Sequence, residues 1–269
     1  MTLEEKEREL KRRLAELGSA AVAFSGGVDS TYLLAVAAET LGRENVLALT
    51  EDSALIPRSE VLASQEIARQ LGVAHRIIQM DVLAEEGITA NQPDRCYHCK
   101  HTVLSRLLAE ARAAGIPHLV YGANRDDHGD YRPGQRAAEE LGVRAPLDEA
   151  GLTKAEIREL SRRRGLPTWD KPAMACLASR FPYGTALEPE ALSQVERAED
   201  YLRHELGLRA LRVRHHGPIA RIELPPEDWE KVLEPAARQK LVAAFQEIGF
   251  TFVALDLQGL RSGSMNALL

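Results

Sequence analysis

An apolar run, Ala20 to Phe24, gives way at Ser25-Gly26-Gly27 to a segment, Thr31 to Leu41, whose apolar residues recur at helical spacing (Leu33, Leu34, Val36, Ala37, Leu41). A short buried strand that passes through glycines straight into a helix start has few ways to fold. It brings unpartnered helix N–H groups beside a backbone without side chains, an arrangement suited to an anion. Ser25 and Ser30 add hydroxyl donors. Asp29 is the discordant member, because a carboxylate repels phosphate unless a divalent cation lies between them. The plain alternative is a strand-to-helix turn that merely uses two glycines.

The chain around this stretch alternates strands with helices. Leu3 to Leu17 reads as an amphipathic helix closed by Gly18, Val46 to Thr50 as a strand, Ser59 to Leu71 as a helix closed by Gly72, and His75 to Met80 as a strand. Thr102 to Ala114 follows as a helix and His118 to Gly122 as a fourth strand. Such alternation indicates βαβ units and a mostly parallel sheet, whose ligand sits beyond the carboxyl ends of the strands. Thr50, Ser53, Gly122 and Asn124 then share a rim with the glycine loop. The polar loop from Gly122 to Gly134, with Asp126, Asp127, Asp130, Arg125 and Arg132, is a candidate substrate or magnesium contact, with a solvated surface loop as the alternative. Thr153 to Arg164 reads as a basic, solvent-facing helix.

With 269 residues and 45% hydrophobic content, the chain can bury a sizeable core in one large or two modest domains. A formal charge of −6 argues against a protein devoted to coating nucleic acid. No apolar run approaches the roughly 20 residues of a membrane span, and the charged first residues lack the apolar core of a signal peptide, so a cytoplasmic protein is expected.

After Leu187 the pattern changes to a smaller α+β unit. A helix over Glu190 to Leu206, strands over Leu208 to Arg214 and Ala220 to Leu224, a helix over Pro235 to Ile248 and a last strand over Phe250 to Leu257 are expected. The domains are then 1–185 and 186–269. Arg209, Arg212, Arg214 and Arg221, with His215 and His216, form the basic cluster of this unit. Strand alternation puts Arg212 and Arg214 on one face, about 7 Å apart, a spacing suited to phosphate or carboxylate; a solvent-facing strand edge is the alternative.

Cys96-Tyr97-His98-Cys99 is a C-x-x-C pair, and Cys176 lies in a proline-flanked loop with Arg180 four positions on. An odd count of three cysteines does not suggest a disulfide framework. A lone buried cysteine is ordinarily inert, whereas a loop setting and a nearby cation favour a reactive thiolate at Cys176. The pair is open to four readings: half of a zinc site, a thioredoxin-like redox pair, an unrelated structural pair, or two of three thiolates, with Cys176, for a [4Fe–4S] cluster with one open iron.

The chain has no G-x-x-x-x-G-K-[ST] motif and hence no Walker lysine. Its S-G-G-V-D-S instead resembles the PP-loop of the ATP pyrophosphatases, which cut ATP between the α and β phosphates and adenylate a substrate oxygen. That resemblance implies an α/β fold in which a parallel-sheet PP-loop domain (adenine nucleotide alpha hydrolase-like) precedes the smaller C-terminal α+β domain. S-G-G-V-D-S, R-C-Y-H-C-K, G-D-Y-R-P-G, C-L-A-S-R-F-P-Y-G, R-V-R-H-H-G and L-D-L-Q-G-L-R-S-G-S-M-N together resemble the LarE family across almost the whole chain. These are ATP-dependent sulfur transferases that help build the nickel-pincer cofactor of lactate racemase by adenylating a carboxylate of pyridinium-3,5-biscarboxylic acid mononucleotide.

The resemblance implies Ser25, Gly26, Gly27, Asp29, Ser30, Thr50 and Gly122 as the nucleotide site, with Mg²⁺ held through Asp29. Asp29, Ser30 and Cys176 are the expected catalytic residues, and Arg180, Arg212 and Arg214 the substrate contacts. It also implies a homo-oligomer and a second domain that binds substrate phosphate. Some members have only the Cys176 position and sacrifice that cysteine's sulfur; others carry the extra C-x-x-C and use a cluster-bound sulfide. With Cys96, Cys99 and Cys176 all present, the cluster is the expectation and exogenous sulfide its supply. Rival readings are a PP-loop tRNA thiolase, an ammonia-using amide synthetase and, in another class, a non-catalytic nucleotide sensor.

Overall fold

The computed structural model describes residues 1–129, 133–172, 175–261 and 264–265. In chain order its elements are α1 (Leu3–Ala15), β1 (Ala20–Ala23), α2 (Val28–Leu41), β2 (Val46–Asp52), α3 (Arg58–Leu71), β3 (Ala74–Gln79), α4 (Glu86–Thr89), α5 (Arg95–Ala113) and β4 (Leu119–Tyr121). There follow α6 (Pro133–Glu140), α7 (Pro146–Glu149), α8 (Lys154–Arg163), α9 (Pro189–Leu206), β5 (Arg212–His216), β6 (Ile219–Glu223), α10 (Trp229–Leu233), α11 (Pro235–Ile248) and β7 (Phe252–Leu255). Contacts divide the chain into one unit of Met1–Val82 and Cys96–Met174 and a second of Leu83–Arg95 and Ala175–Leu269.

In the first unit four strands pair in the order β3-β2-β1-β4, all parallel, as the alternating pattern requires. The chain steps outward from β1 to β3 and then returns to the other side of β1. The order therefore reverses at β1, and the glycine loop leaves the carboxyl end of that strand. This is the switch point at which open α/β sheets bind ligands. Alanines and Val22 keep β1 slim, and α2 packs closely because Val28, Leu33, Leu34, Val36 and Ala37 are all buried. Leu10 and Leu14 of α1 and Ile157 and Leu160 of α8 complete the same core. The α2 helix begins at Val28, ahead of the expected Thr31, because Gly27 already serves as its N-cap.

The second unit holds a three-stranded sheet, β5-β6-β7, with β5 antiparallel and β7 parallel to β6. Leu202 of α9, Val213, Ile222, Leu241 and Phe245 of α11, and Phe250 form its core. The expected strand over Leu208–Arg214 is displaced. Leu208 and Leu211 are buried but precede the strand, which runs from Arg212 to His216 and turns back at Gly217 (φ 61°). Apolar residues anchoring a loop had mimicked strand alternation. Segment 83–95 joins this unit by backbone bonds: Gly184 N–H donates to Asn91 O at 2.9 Å and Leu187 N–H to Thr89 O at 2.8 Å. Among the described residues no helix is long and apolar enough to cross a membrane.

Candidate active site

The glycine loop is held from within. Ser25 N–H donates to Ser30 Oγ (3.3 Å), the two serine hydroxyls lie 3.1 Å apart, and Ser30 Oγ donates to Gly27 O (3.3 Å). No side chain caps α2, so the first N–H groups of the helix face the loop, where its positive end favours an anion. Gly26 has φ +67°, and a Cβ there would meet the Ser64 backbone on α3 at 3.3 Å. Gly122, at the end of β4, lies against the start of α2: a Cβ would stand 2.9 Å from Ser30 N and 3.2 Å from the Asp29 carbonyl carbon. Both positions therefore require glycine for separate reasons, a left-handed turn and a close backbone approach.

Two lysines from distant sequence reach this loop. Lys154, the first residue of α8, forms an ion pair with Asp29 Oδ2. Lys171 Nζ donates to Gly26 O at 3.1 Å and pairs with Glu60 of α3 at 2.7 Å. Neither lysine is apparent from the motif, since 125 and 145 residues separate them from their loop partners. Burial pushes the Asp29 carboxyl above its usual range; Lys154 opposes that shift and the charge of Asp127 adds to it. Asp29 Oδ1 is buried without a hydrogen-bond partner among the described residues.

The residues at the ends of β2 and β4 are tied to their surroundings by hydrogen bonds. Asp127 accepts from Asn124 N–H at 3.0 Å, and Asp126 accepts from Lys154 N–H at 2.9 Å, so the loop after β4 is docked on the start of α8. Asp130 and Arg132 lie outside the described residues. Thr50 is 3% exposed and supports the loop from behind, donating to Phe24 O at 2.6 Å. That commits its lone pair to His75, whose Nε2 donates at 2.8 Å; burial keeps this imidazole below its ordinary pKa and hence neutral. Ser53 Oγ donates to Glu51 at 2.5 Å.

Cys96 and Cys99 lie on the first turn of α5, which starts at Arg95 rather than the expected Thr102. The polar residues 95–101 carry no apolar repeat, which hid this turn. Cys96 is exposed, Cys99 and Cys176 are partly buried, and all three are thiols. Among the described residues no group of three or more His, Cys, Asp or Glu side chains is gathered for a metal ion.

The second unit carries Cys176 and the arginines. Arg180 is fully buried, its guanidinium forming a bidentate pair with the equally buried Glu199 at 2.8 and 2.9 Å. Its Nη1 donates to the carbonyls of Ala175 (2.6 Å) and Cys176 (3.0 Å). Arg214, on β5, donates to Ser179 O (2.8 Å), Glu223 (2.7 Å) and Ser264 Oγ (2.8 Å), and its buried Nε has no partner among the described residues. Arg212 is two residues away on the same strand face. Burial, then repulsion from Arg180, pushes its pKa down to about 10, against the pull of Glu199. Glu199 and Glu223, which orient these guanidiniums, also escape a motif search, because single buried carboxylates leave no periodic signal.

The model of the queuosine biosynthesis protein QueC family matches residues 19–95, the stretch from β1 through the glycine loop to β3 and beyond. The chain is 31% identical to the NH(3)-dependent NAD(+) synthetase of Methanococcoides burtonii, over 55% of this chain and 57% of that one. An uncharacterised protein of Synechocystis sp. is 44% identical, with 99% of each chain covered. The pyridinium-3,5-bisthiocarboxylic acid mononucleotide synthase of Lactiplantibacillus plantarum is 40% identical over 98% of this chain and 95% of its own. Similarity to that synthase over nearly the whole of both chains places the chain in the LarE family.

Proposed function

We propose that the protein is an ATP-dependent sulfurtransferase. It adenylates a carboxylate of pyridinium-3,5-biscarboxylic acid mononucleotide and then replaces the activated oxygen with sulfur, in biosynthesis of the nickel-pincer cofactor of lactate racemase. The observation that carries this reading is the S-G-G-V-D-S loop at the switch point of a parallel sheet, in a chain similar over 98% of its length to the synthase.

A carboxylate resists displacement because its oxygen leaves badly. Attack of that oxygen on the α-phosphorus breaks the α–β P–O bond, expels pyrophosphate and leaves an acyl adenylate. Sulfide, or an equivalent sulfur nucleophile, then attacks the carbonyl carbon, and AMP departs with the oxygen. Ser25, Gly26, Gly27, Ser30 and the opening N–H groups of α2 would hold the pyrophosphate portion; Gly122 lets the strand end lie close, and Thr50 keeps the loop in place. The orphaned Oδ1 of Asp29 fits a Mg²⁺ ion, which when bound would supply Lewis-acid charge at the phosphates.

Arg212 and Arg214 suit the substrate phosphate. A buried guanidinium with an unpartnered Nε, and another destabilised by burial and then by its cationic neighbours, both gain from an anion. For the sulfur we propose a [4Fe–4S] cluster. Cys96 and Cys99, three residues apart at the start of α5, would be two thiolate ligands and Cys176 the third; when bound, such a cluster would offer an open iron for a sulfide. We further propose a cytoplasmic homo-oligomer whose second domain, 186–269, serves substrate phosphate and assembly.

Incubation with ATP, Mg²⁺ and the mononucleotide should release AMP and pyrophosphate; ADP and orthophosphate would refute the reading. Anaerobic purification and reconstitution should yield iron. Absence of iron, with Cys176 lighter by H₂S in the spent protein, would instead make Cys176 the sacrificial donor.

A further inference from the structure

Five carbonyl oxygens of the segment Ala175–Gly184 accept from buried or partly buried side chains. Arg180 takes those of Ala175 and Cys176, Arg95 that of Ala178 (3.1 Å), Arg214 that of Ser179, and Asn91 Nδ2 that of Pro182 (2.9 Å). Arg95, Arg180 and Arg214 are each at most 5% exposed as residues, and Asn91, held at φ 51°, is fully buried. The guanidiniums of Arg180 and Arg214 are paired with Glu199 and Glu223 and turn further N–H groups to backbone carbonyls, so these buried ion pairs also fix that backbone. Glu199 makes the arrangement coherent. It binds Arg180 through both oxygens, receives Arg203 at 2.8 Å, and accepts Val213 N–H at 3.1 Å, between Arg212 and Arg214 on β5.

We infer that Arg180, anchored on Glu199, is a positioning residue that fixes the backbone of Cys176 relative to the arginines of β5 for the sulfur-transfer step, and is not a ligand of the substrate. This rests on the proposed sulfurtransferase reading and deepens it. The guanidinium has its donors turned to Glu199, Ser179 Oγ and two carbonyls, so a substrate carboxylate would have to break the buried pair to reach it. The same carboxylate ties the Cys176 turn and the arginine strand to one point. A misplacement of about 1 Å at such a site can cost on the order of a hundredfold in rate.

The test compares Arg180→Lys, Glu199→Gln and the milder Arg203→Met, each taken as the folded fraction from size-exclusion chromatography. Three quantities are read: pyrophosphate release, sulfur transfer to the mononucleotide with its kcat and KM separated, and alkylation of Cys176 by iodoacetamide, resolved by peptide mass spectrometry. The inference predicts pyrophosphate release within about twofold of the parent chain, sulfur-transfer kcat reduced on the order of a hundredfold in Arg180→Lys, KM held, and Cys176 alkylation raised severalfold. A graded, smaller rise in Arg203→Met is expected even if the stronger variants fail to fold. Unchanged alkylation, or a raised substrate KM with kcat held, would overturn it. If the parent chain transfers no sulfur at all, the functional reading fails, while the alkylation comparison still decides whether Arg180 positions Cys176.

Discussion

Lys154 reaches across 125 residues of sequence to pair with the carboxylate of Asp29 inside the glycine loop. The loop has no lysine of its own, and this cation supplies the charge that its motif lacks. Asp29 is poised between burial, which favours its neutral form, and Lys154, which favours the charged one. Removing the lysine in Lys154→Met should therefore raise the Asp29 pKa further. On the proposal that Asp29 holds Mg²⁺ in its ionised form, the acid limb of the pH profile of pyrophosphate release should move to higher pH. Loss of this cation beside the proposed phosphate site should also weaken ATP binding, by about 1.5–3 kcal/mol if a charge-assisted contact goes with it. An unmoved acid limb in Lys154→Met would remove the lysine from the account.

The buried pair in the second unit should behave differently. Glu199→Gln leaves the Arg180 guanidinium without its counter-charge at full burial, and breaking such a pair costs about 3–5 kcal/mol. Burial raises the Glu199 pKa, but Arg180, Arg203 and the Val213 N–H outweigh it, so the folded value lies below the ordinary glutamate range. A carboxylate depressed in the folded state contributes stability that is complete above its unfolded pKa and lost as pH falls through its folded pKa. Denaturant midpoints of the parent chain should accordingly fall below about pH 4.5, and Glu199→Gln should flatten that dependence. A midpoint insensitive to the substitution would contradict the buried-pair description.

Gly122→Ala drives a methyl group to within 2.9 Å of Ser30 N on α2, where backbone, not a flexible side chain, must yield. Overpacking of this kind costs about 1–3 kcal/mol. Gly26→Ala adds a left-handed penalty of about 1–2 kcal/mol to its contact with Ser64. Both should lower the denaturant midpoint and weaken ATP binding together. Wild-type ATP affinity in either variant would show that the loop tolerates a displaced backbone.

Arg212→Ala and Arg214→Ala should each weaken mononucleotide binding by about 1.5–3 kcal/mol while leaving ATP binding intact, as measured by titration calorimetry. Arg214→Ala should in addition lower stability, because it deprives the fully buried Glu223 of a partner. Unaltered substrate affinity in both would return β5 to a structural role.

Much of the fold can be read before any coordinates. The apolar runs of β1 and β2 and the regular spacing in α2, α3 and α11 carry their own signal, and the glycine loop announces its position between them. What stays hidden depends on long-range or polar contacts. Lys154 and Lys171 belong to the loop only because the sheet returns past β1, and nothing local marks them. Leu208 and Leu211 imitate a strand although they only anchor the approach to β5. Glu199 and Glu223, and the burial of Arg180 against Glu199, are ionic features of a core, where apolar periodicity has nothing to say. The first turn of α5, polar throughout, is concealed for the same reason although it carries Cys96 and Cys99.

In the proposed reaction, ATP cleavage between the α and β phosphates serves to replace a carboxylate oxygen by sulfur. The most direct measurement is mass spectrometry of pyridinium-3,5-biscarboxylic acid mononucleotide after incubation with the protein, ATP, Mg²⁺ and sulfide. The expected product has sulfur in place of oxygen, forms only with ATP, is accompanied by AMP and pyrophosphate, and is lost in Cys176→Ala. An unchanged mononucleotide despite AMP release, or a sulfur-bearing product that forms equally well in Cys176→Ala, would contradict the proposed reaction.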